Sequence, residues 1–187
     1  MPGTTGTMTS VVHGLTAADS QEVSVTSDGP SGGAGFEDFV MEVTVPEGAA
    51  ALRVEVWQDE WAPSENLDLD LFLINPEYTA VVAQSAAGGS DEAITLVAPA
   101  PGVYHLAIDN WNAPAGDVAT GPVHVYTPVA DEGNLDVTPS PTSVVSGVPV
   151  ELTATWSGLE AATRYLGAIG YDFGAGEAGY TLVTVTP

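Results

Sequence analysis

The sequence predicts an all-β protein, on three observations: short runs of alternating apolar and polar residues recur along the chain, Gly, Pro, Asn or Asp closes nearly every run, and no segment sustains a helical period. The clearest run is Asn66-Leu-Asp-Leu-Asp-Leu-Phe-Leu-Ile-Asn-Pro76. Side chains alternate across a strand, so Leu67, Leu69, Leu71 and Leu73 share one face while Asp68, Asp70 and Phe72 share the other. The leucines mark a core-facing wall, and the aspartates read as a solvated face.

The elements follow in order. Residues 22–26 (Glu-Val-Ser-Val-Thr) alternate cleanly, and 39–45 alternate up to the Pro46-Glu47-Gly48 turn. Residues 52–57 and 67–74 are the next two runs, the second stopped by Asn75-Pro76. Residues 80–84 and 93–97 flank the Gly88-Gly89-Ser90-Asp91 turn, and 103–109 follow Pro101-Gly102. Residues 123–126 close the set. Between them, 27–35 and 113–117 combine φ-permissive Gly with φ-fixing Pro and read as loops at the sandwich ends. Eight short strands with one apolar face each predict a jelly-roll-like β-sandwich over 10–128. The polar, turn-rich stretch 127–134 suits a linker. Beyond it, strands expected over 135–138, 149–156, 163–171 and 180–186 form a smaller β unit over 134–187, small for a free-standing sandwich. No internal repeat is visible.

Composition excludes several function classes. Twenty-five acidic residues stand against Arg53 and Arg164, with no lysine, for a net charge of -23. Nucleic acid and anionic membranes are bound through clustered Lys and Arg, so neither partner is expected. The acidic surface suits either a saline environment or solubility outside a cell. With no cysteine, a disulfide framework and a Cys-ligated zinc site are both excluded. The first residues lack a basic stretch followed by an apolar core, and nowhere do 18 apolar residues run together. An extracellular location would therefore make the chain part of something longer.

Phe39 to Trp111 carries a recognisable combination: Val45-Pro-Glu-Gly48, Leu67-Asp-Leu-Asp-Leu-Phe-Leu73, Ser85, Pro101-Gly-Val-Tyr104 and Ile108. It resembles the bacterial pre-peptidase C-terminal domain, a β-sandwich appended to secreted peptidases, notably subtilisin-like serine proteases and metalloproteases. The tail, with Thr155-Trp-Ser-Gly-Leu159 and Thr163-Arg-Tyr-Leu-Gly167, is similar to the small fibronectin- or immunoglobulin-like modules that end such proteases. The resemblance implies a secreted, non-catalytic attachment, covalently linked to an upstream peptidase, that assists secretion, folding or substrate engagement. An extracellular carbohydrate-binding or adhesion module is the alternative.

Candidate site residues follow from the same strands. Asp68 and Asp70 lie on one face about 6.5 Å apart along the strand. Adjacent carboxylates repel, and a hard cation such as calcium would relieve the repulsion, with Asn66 and Asp109, and further Asn110 and Asn112, as oxygen donors. The other reading is a polar face that fixes strand register. A glycosidase dyad from the same aspartates lacks any pocket signature, and a Ser85–His105–Asp109 triad has only residue type behind it. His13 and His124 are too isolated for a zinc set. Trp57, Trp61 and Trp111, on an outer face or in polar loops, are candidates for stacking on sugar or peptide. Trp156, Tyr104 and Tyr180 read as core residues.

Overall fold

A computed structural model of the protein describes residues 2–30, 37–111 and 113–187, and its regular structure is almost entirely antiparallel β. Strand β1 (Gly6–Ala17) opens the chain; β2 (Asp19–Thr26), β3 (Phe39–Val45), β4 (Ala51–Val56), β5 (Leu69–Ile74), β6 (Val81–Ser85), β7 (Glu92–Val97), β8 (Gly102–Asn110) and β9 (Val118–Tyr126) follow. The chain divides into two compact units. One comprises residues 19–47 and 52–126, and the other comprises the residues up to Ala18, 48–51 and 127–187.

In the first unit the strands form two four-stranded sheets, ordered β2-β9-β4-β7 and β3-β8-β5-β6. The pairs β2 with β9, β3 with β8, β4 with β7 and β5 with β6 are nested, the outermost strand in sequence meeting the last and the innermost two forming a hairpin. That is the pairing of a long hairpin rolled into two sheets, the jelly roll. Period-two alternation places the core: Leu69, Leu71 and Leu73 of β5, with Tyr104, Leu106 and Ile108 of β8, are all buried. Val25, Leu52, Val54, Val56 and Val123 of the other sheet are buried too. Val45, Leu71, Leu106 and Val54 are among the largest fully enclosed side chains.

The second unit adds β10 (Leu135–Thr138), β11 (Thr142–Val144), β12 (Thr153–Trp156), β13 (Tyr165–Asp172) and β14 (Glu177–Val185). Its sheets are ordered β11-β1-β13-β14 and β10-β12. The division at 10–128 and 134–187 read from the sequence differs from this one. Residues 9–17 of β1 pair with β13, from Thr9↔Asp172 to Ala17↔Tyr165, and so belong with the later strands. A bulge between His13 and Thr16 puts Val12 and Leu15 out of a single alternating phase, which hides the strand in the sequence. Trp156 is a correction: it is half exposed rather than a core tryptophan. Leu15, Leu135, Val137, Tyr165, Ile169 and Val185 fill that core, and Leu15 comes from the strand missing in the sequence reading. Tyr104 is buried as expected, whereas Tyr180 is only partly covered.

One glycine shows how this unit is held. His13 on β1 hydrogen-bonds Glu177 on β14 through Nε2 at 2.8 Å and the Val129 carbonyl through Nδ1 at 2.9 Å, although β13 lies between the two strands. Glu177 crosses over Gly170, where a Cβ would run into its carboxyl group. Gly170→Ala is therefore expected to push the Glu177 carboxyl group aside, break the His13–Glu177 bond and destabilise the chain by about 0.5–1.5 kcal/mol, the net worth of a hydrogen bond. Thermal denaturation checks this; a melting curve unchanged from the parent would contradict the crossing.

Candidate functional site

The register of β5 against β8 aligns Leu69 with Asn110, Asp70 with Asp109 and Leu71 with Ile108. The leucines turn into the core, and the same alternation sets two aspartates side by side on the opposite face. The row extends one strand further, because β3 pairs Phe39 with Ile108 and so brings Asp38, just before it, beside Asp109. Asp38 is oriented by two backbone donors: the Asn110 N–H donates to its Oδ2 at 2.9 Å and the Asp28 N–H to its Oδ1 at 2.8 Å.

This face is not solvated at the row, which corrects the sequence reading. Asp70 is 7% exposed and Asp109 3%. Burial, then the charges of Asp68 and Glu92, raise Asp70 from the ordinary 3.8 to about 6. Asp109 is also raised to about 6, by burial first, then by the charge of Asp38 and a hydrogen bond to it, and by the charges of Asp70 and Asp28. Glu92, itself buried, is satisfied: the Ala87 N–H donates to it at 2.7 Å and the Ser85 hydroxyl donates to its other oxygen. Among the described residues no hydrogen-bond donor pairs with the Asp70 carboxyl group. The row thus holds its negative charge down by keeping protons to higher pH than isolated aspartates do.

The proposed calcium donors are distributed as follows. Asp70 and Asp109 are adjacent, and Asp68, whose Oδ1 accepts the Gly89 N–H at 2.8 Å, lies close enough to shift Asp70. Asn66 stands in an exposed turn at φ 59°, a left-handed conformation that asparagine tolerates. Asn112 falls outside the described residues. Calcium takes six to eight oxygens in general, and among the described residues no group of three or more His, Cys, Asp or Glu converges as a metal cage.

The tryptophans separate. Trp61 is buried, at 3% exposure, rather than presented in a polar loop. Its Nε1–H donates to the Pro122 carbonyl at 3.1 Å, and its ring covers Gly121, where no Cβ would fit. Trp57 is partly buried, and Trp111 is 45% exposed. Ser85, His105 and Asp109 do not form a triad: Ser85 bonds Glu92, and His105 meets Tyr78 edge-on at 4.7 Å between ring centroids. The structure links a different set, missed in the sequence. Ser20 Oγ lies 2.8 Å from His124 Nδ1, and His124 Nε2 lies 2.6 Å from Glu60 Oε2. The only sequence signal was the alternation of β2 and β9, which places Ser20 opposite His124 once the strands are paired. Ser20 is exposed on an edge strand, without the desolvated surroundings that make such a chain an effective nucleophile, and it reads as a cross-strand ladder.

A jelly roll whose β5 carries Leu69-Asp-Leu-Phe-Leu73 and whose β8 begins at Gly102-Val-Tyr104 has the pattern that the bacterial pre-peptidase C-terminal domain shows. The profile of that domain matches residues 9–110, more than half of the chain. The chain belongs to the bacterial pre-peptidase C-terminal domain family. No curated protein matches it. The pre-peptidase C-terminal domain is a non-catalytic accessory domain, found in secreted peptidases. Here β5 and β8 are the strands whose pairing sets Asp70 beside Asp109. No helix among the described residues is long and apolar enough to cross a membrane.

The raised aspartates make stability depend on pH in a definite direction. A carboxyl group whose folded pKa exceeds its unfolded value stabilises the fold below the unfolded value and loses that contribution as pH rises through the folded one. Asp70 and Asp109 should therefore withdraw stability between about pH 4 and pH 6. Asp70→Asn is expected to melt close to the parent at pH 4 and above it at pH 7, by on the order of 1 kcal/mol after solvent screening. Parallel melting temperatures across that range would contradict the assignment.

Proposed function

We propose that the chain is the accessory region of a secreted, subtilisin-like serine peptidase, covalently linked to that enzyme, and that it assists secretion, folding or substrate engagement. The observation that carries this reading is the family match over residues 9–110. The structure is compatible with an accessory role. Asp70 and Asp109 are raised by burial and by neighbouring negative charge, and the Ser20–His124–Glu60 contact runs between two strands and a turn with Ser20 exposed.

A rigid, strongly acidic sandwich tethered to a catalytic domain acts in two physical ways. Its charge of -23 opposes association of the precursor with itself at low salt. Its covalent attachment holds anything it binds at high effective concentration beside the catalytic domain. A polysaccharide-binding platform built on three indoles has less support, because Trp61 is enclosed.

The reading frame upstream of Met1 tests the proposal first. A signal peptide followed by a serine peptidase is expected there, and a frame with no peptidase sequence would overturn the reading. With the peptidase in hand, expression with and without residues 1–187 should show less active enzyme in the medium for the truncated form, by culture-supernatant proteolysis. Equal yields and equal activity on protein substrates would remove the proposed assistance.

A further inference from the structure

At one end of the jelly roll a cleft of about 370 Å³ opens beside the loop that follows β8. Trp111 forms one wall, and its backbone N–H donates to the Asp68 carbonyl at 2.7 Å, which fixes the residue at the rim. Glu65, Asp68 and Asp117 line the same cleft, and no Lys, Arg or His lines it among the described residues. Leu67, buried, contributes an apolar surface. Asn110, the last residue of β8, is only 4% exposed and lines the cleft, yet its side-chain amide has no hydrogen-bond partner among the described residues. That amide opens onto the cleft, where a ligand can pair with it.

From these residues we propose that the cleft binds the arginine side chain of a peptide. The chemistry of the walls selects it. An exposed indole attracts a guanidinium over its face, and Arg does so more often than Lys. Three carboxylates without a cation among them disfavour any anion and leave neutral ligands without the electrostatic gain. The planar guanidinium presents five N–H donors, so it can serve the Asn110 carbonyl oxygen and a carboxylate together. An ammonium is a point charge and satisfies this spread of acceptors less completely. The cleft stands on its own geometry, so its test and the test for an upstream peptidase fail separately.

The measurement is an NMR titration of the full 15N-labelled chain with the peptide acetyl-Gly-Arg-Gly-amide, and in parallel with the same peptide carrying citrulline, which keeps the shape and loses the charge. The Trp111 indole N–H signal, assigned by its disappearance in Trp111→Phe, is expected to move saturably with the arginine peptide and to stay in place with the citrulline peptide. Trp111→Ala leaves the net charge unchanged, so non-specific attraction to the acidic surface survives in it. Its affinity should nonetheless fall by about fivefold or more. Asp117→Asn, on the exposed loop, should weaken binding in the same direction by about twofold or more. Equal shifts with citrulline, an affinity unaffected by Trp111→Ala, or saturation by a neutral oligosaccharide in place of the arginine peptide would each overturn the proposal.

Discussion

The register of β5 on β8 is the constraint from which the rest of the first unit follows. With Leu71 opposite Ile108, three leucines of β5 enter the core and Asp70 stands against Asp109. A slip of one residue would turn the leucines outward and bury the aspartates between the sheets, so the burial of three leucines locks the pairing. The like-charge contact is thus a consequence of a core that outweighs it. Two raised carboxyl groups oppose the fold by a few kcal/mol at most, whereas each fully buried leucine contributes about 1.5–3 kcal/mol.

The scarcity of cations decides how that contact is relieved. Arg53, on β4, donates through Nε to buried Glu55 at 2.6 Å, and the Tyr126 hydroxyl donates to the other Glu55 oxygen at 2.8 Å. Glu55 is therefore a buried carboxylate that is fully partnered, the arrangement in which removing one partner is costly. The row at Asp38, Asp109 and Asp70 has backbone donors on Asp38 and, among the described residues, no paired cation, so Asp70 and Asp109 keep protons up to about pH 6. Buried carboxylates in one unit are thus accommodated in different ways, by a cation and a hydroxyl at Glu55, by neutral donors at Glu92 and by a raised pKa at Asp70 and Asp109. The difference gives the row its response to pH, because it loses stability as Asp70 and Asp109 ionise.

Much of the fold was legible in the sequence, for reasons that can be traced residue by residue. Residues 39–45 and 135–138 coincide with β3 and β10 because alternation ends there at a proline or turn. Strands β1 and β11 were not legible: the bulge in β1 breaks its phase, and β11 has three residues. Nested pairing cannot be read from local pattern at all, since it joins residues 19 and 125 across the chain. At the site, the sequence put Asp70 and Asp109 in one set but gave them a wet face, because alternation reports which side a residue points to and not what covers that side. Trp61 was misplaced for a related reason. Its neighbours are polar, yet a glycine on β9, Gly121, leaves room for the indole to lie flat against the strand. Ser20, His124 and Glu60 come from three separate runs and meet only through β2–β9 pairing and the turn after β4.

The central claim is that the β5–β8 register makes Asp70 and Asp109 a coupled, proton-holding pair. Carbon-detected NMR titration of the aspartate carboxyl signals tests it most directly. The account predicts that both residues titrate near pH 6 and that Asp70→Asn shifts the midpoint of Asp109 downward, since the charge of Asp70 is one of its causes. Midpoints near the ordinary 3.8 for both, with Asp109 indifferent to the substitution, would contradict it.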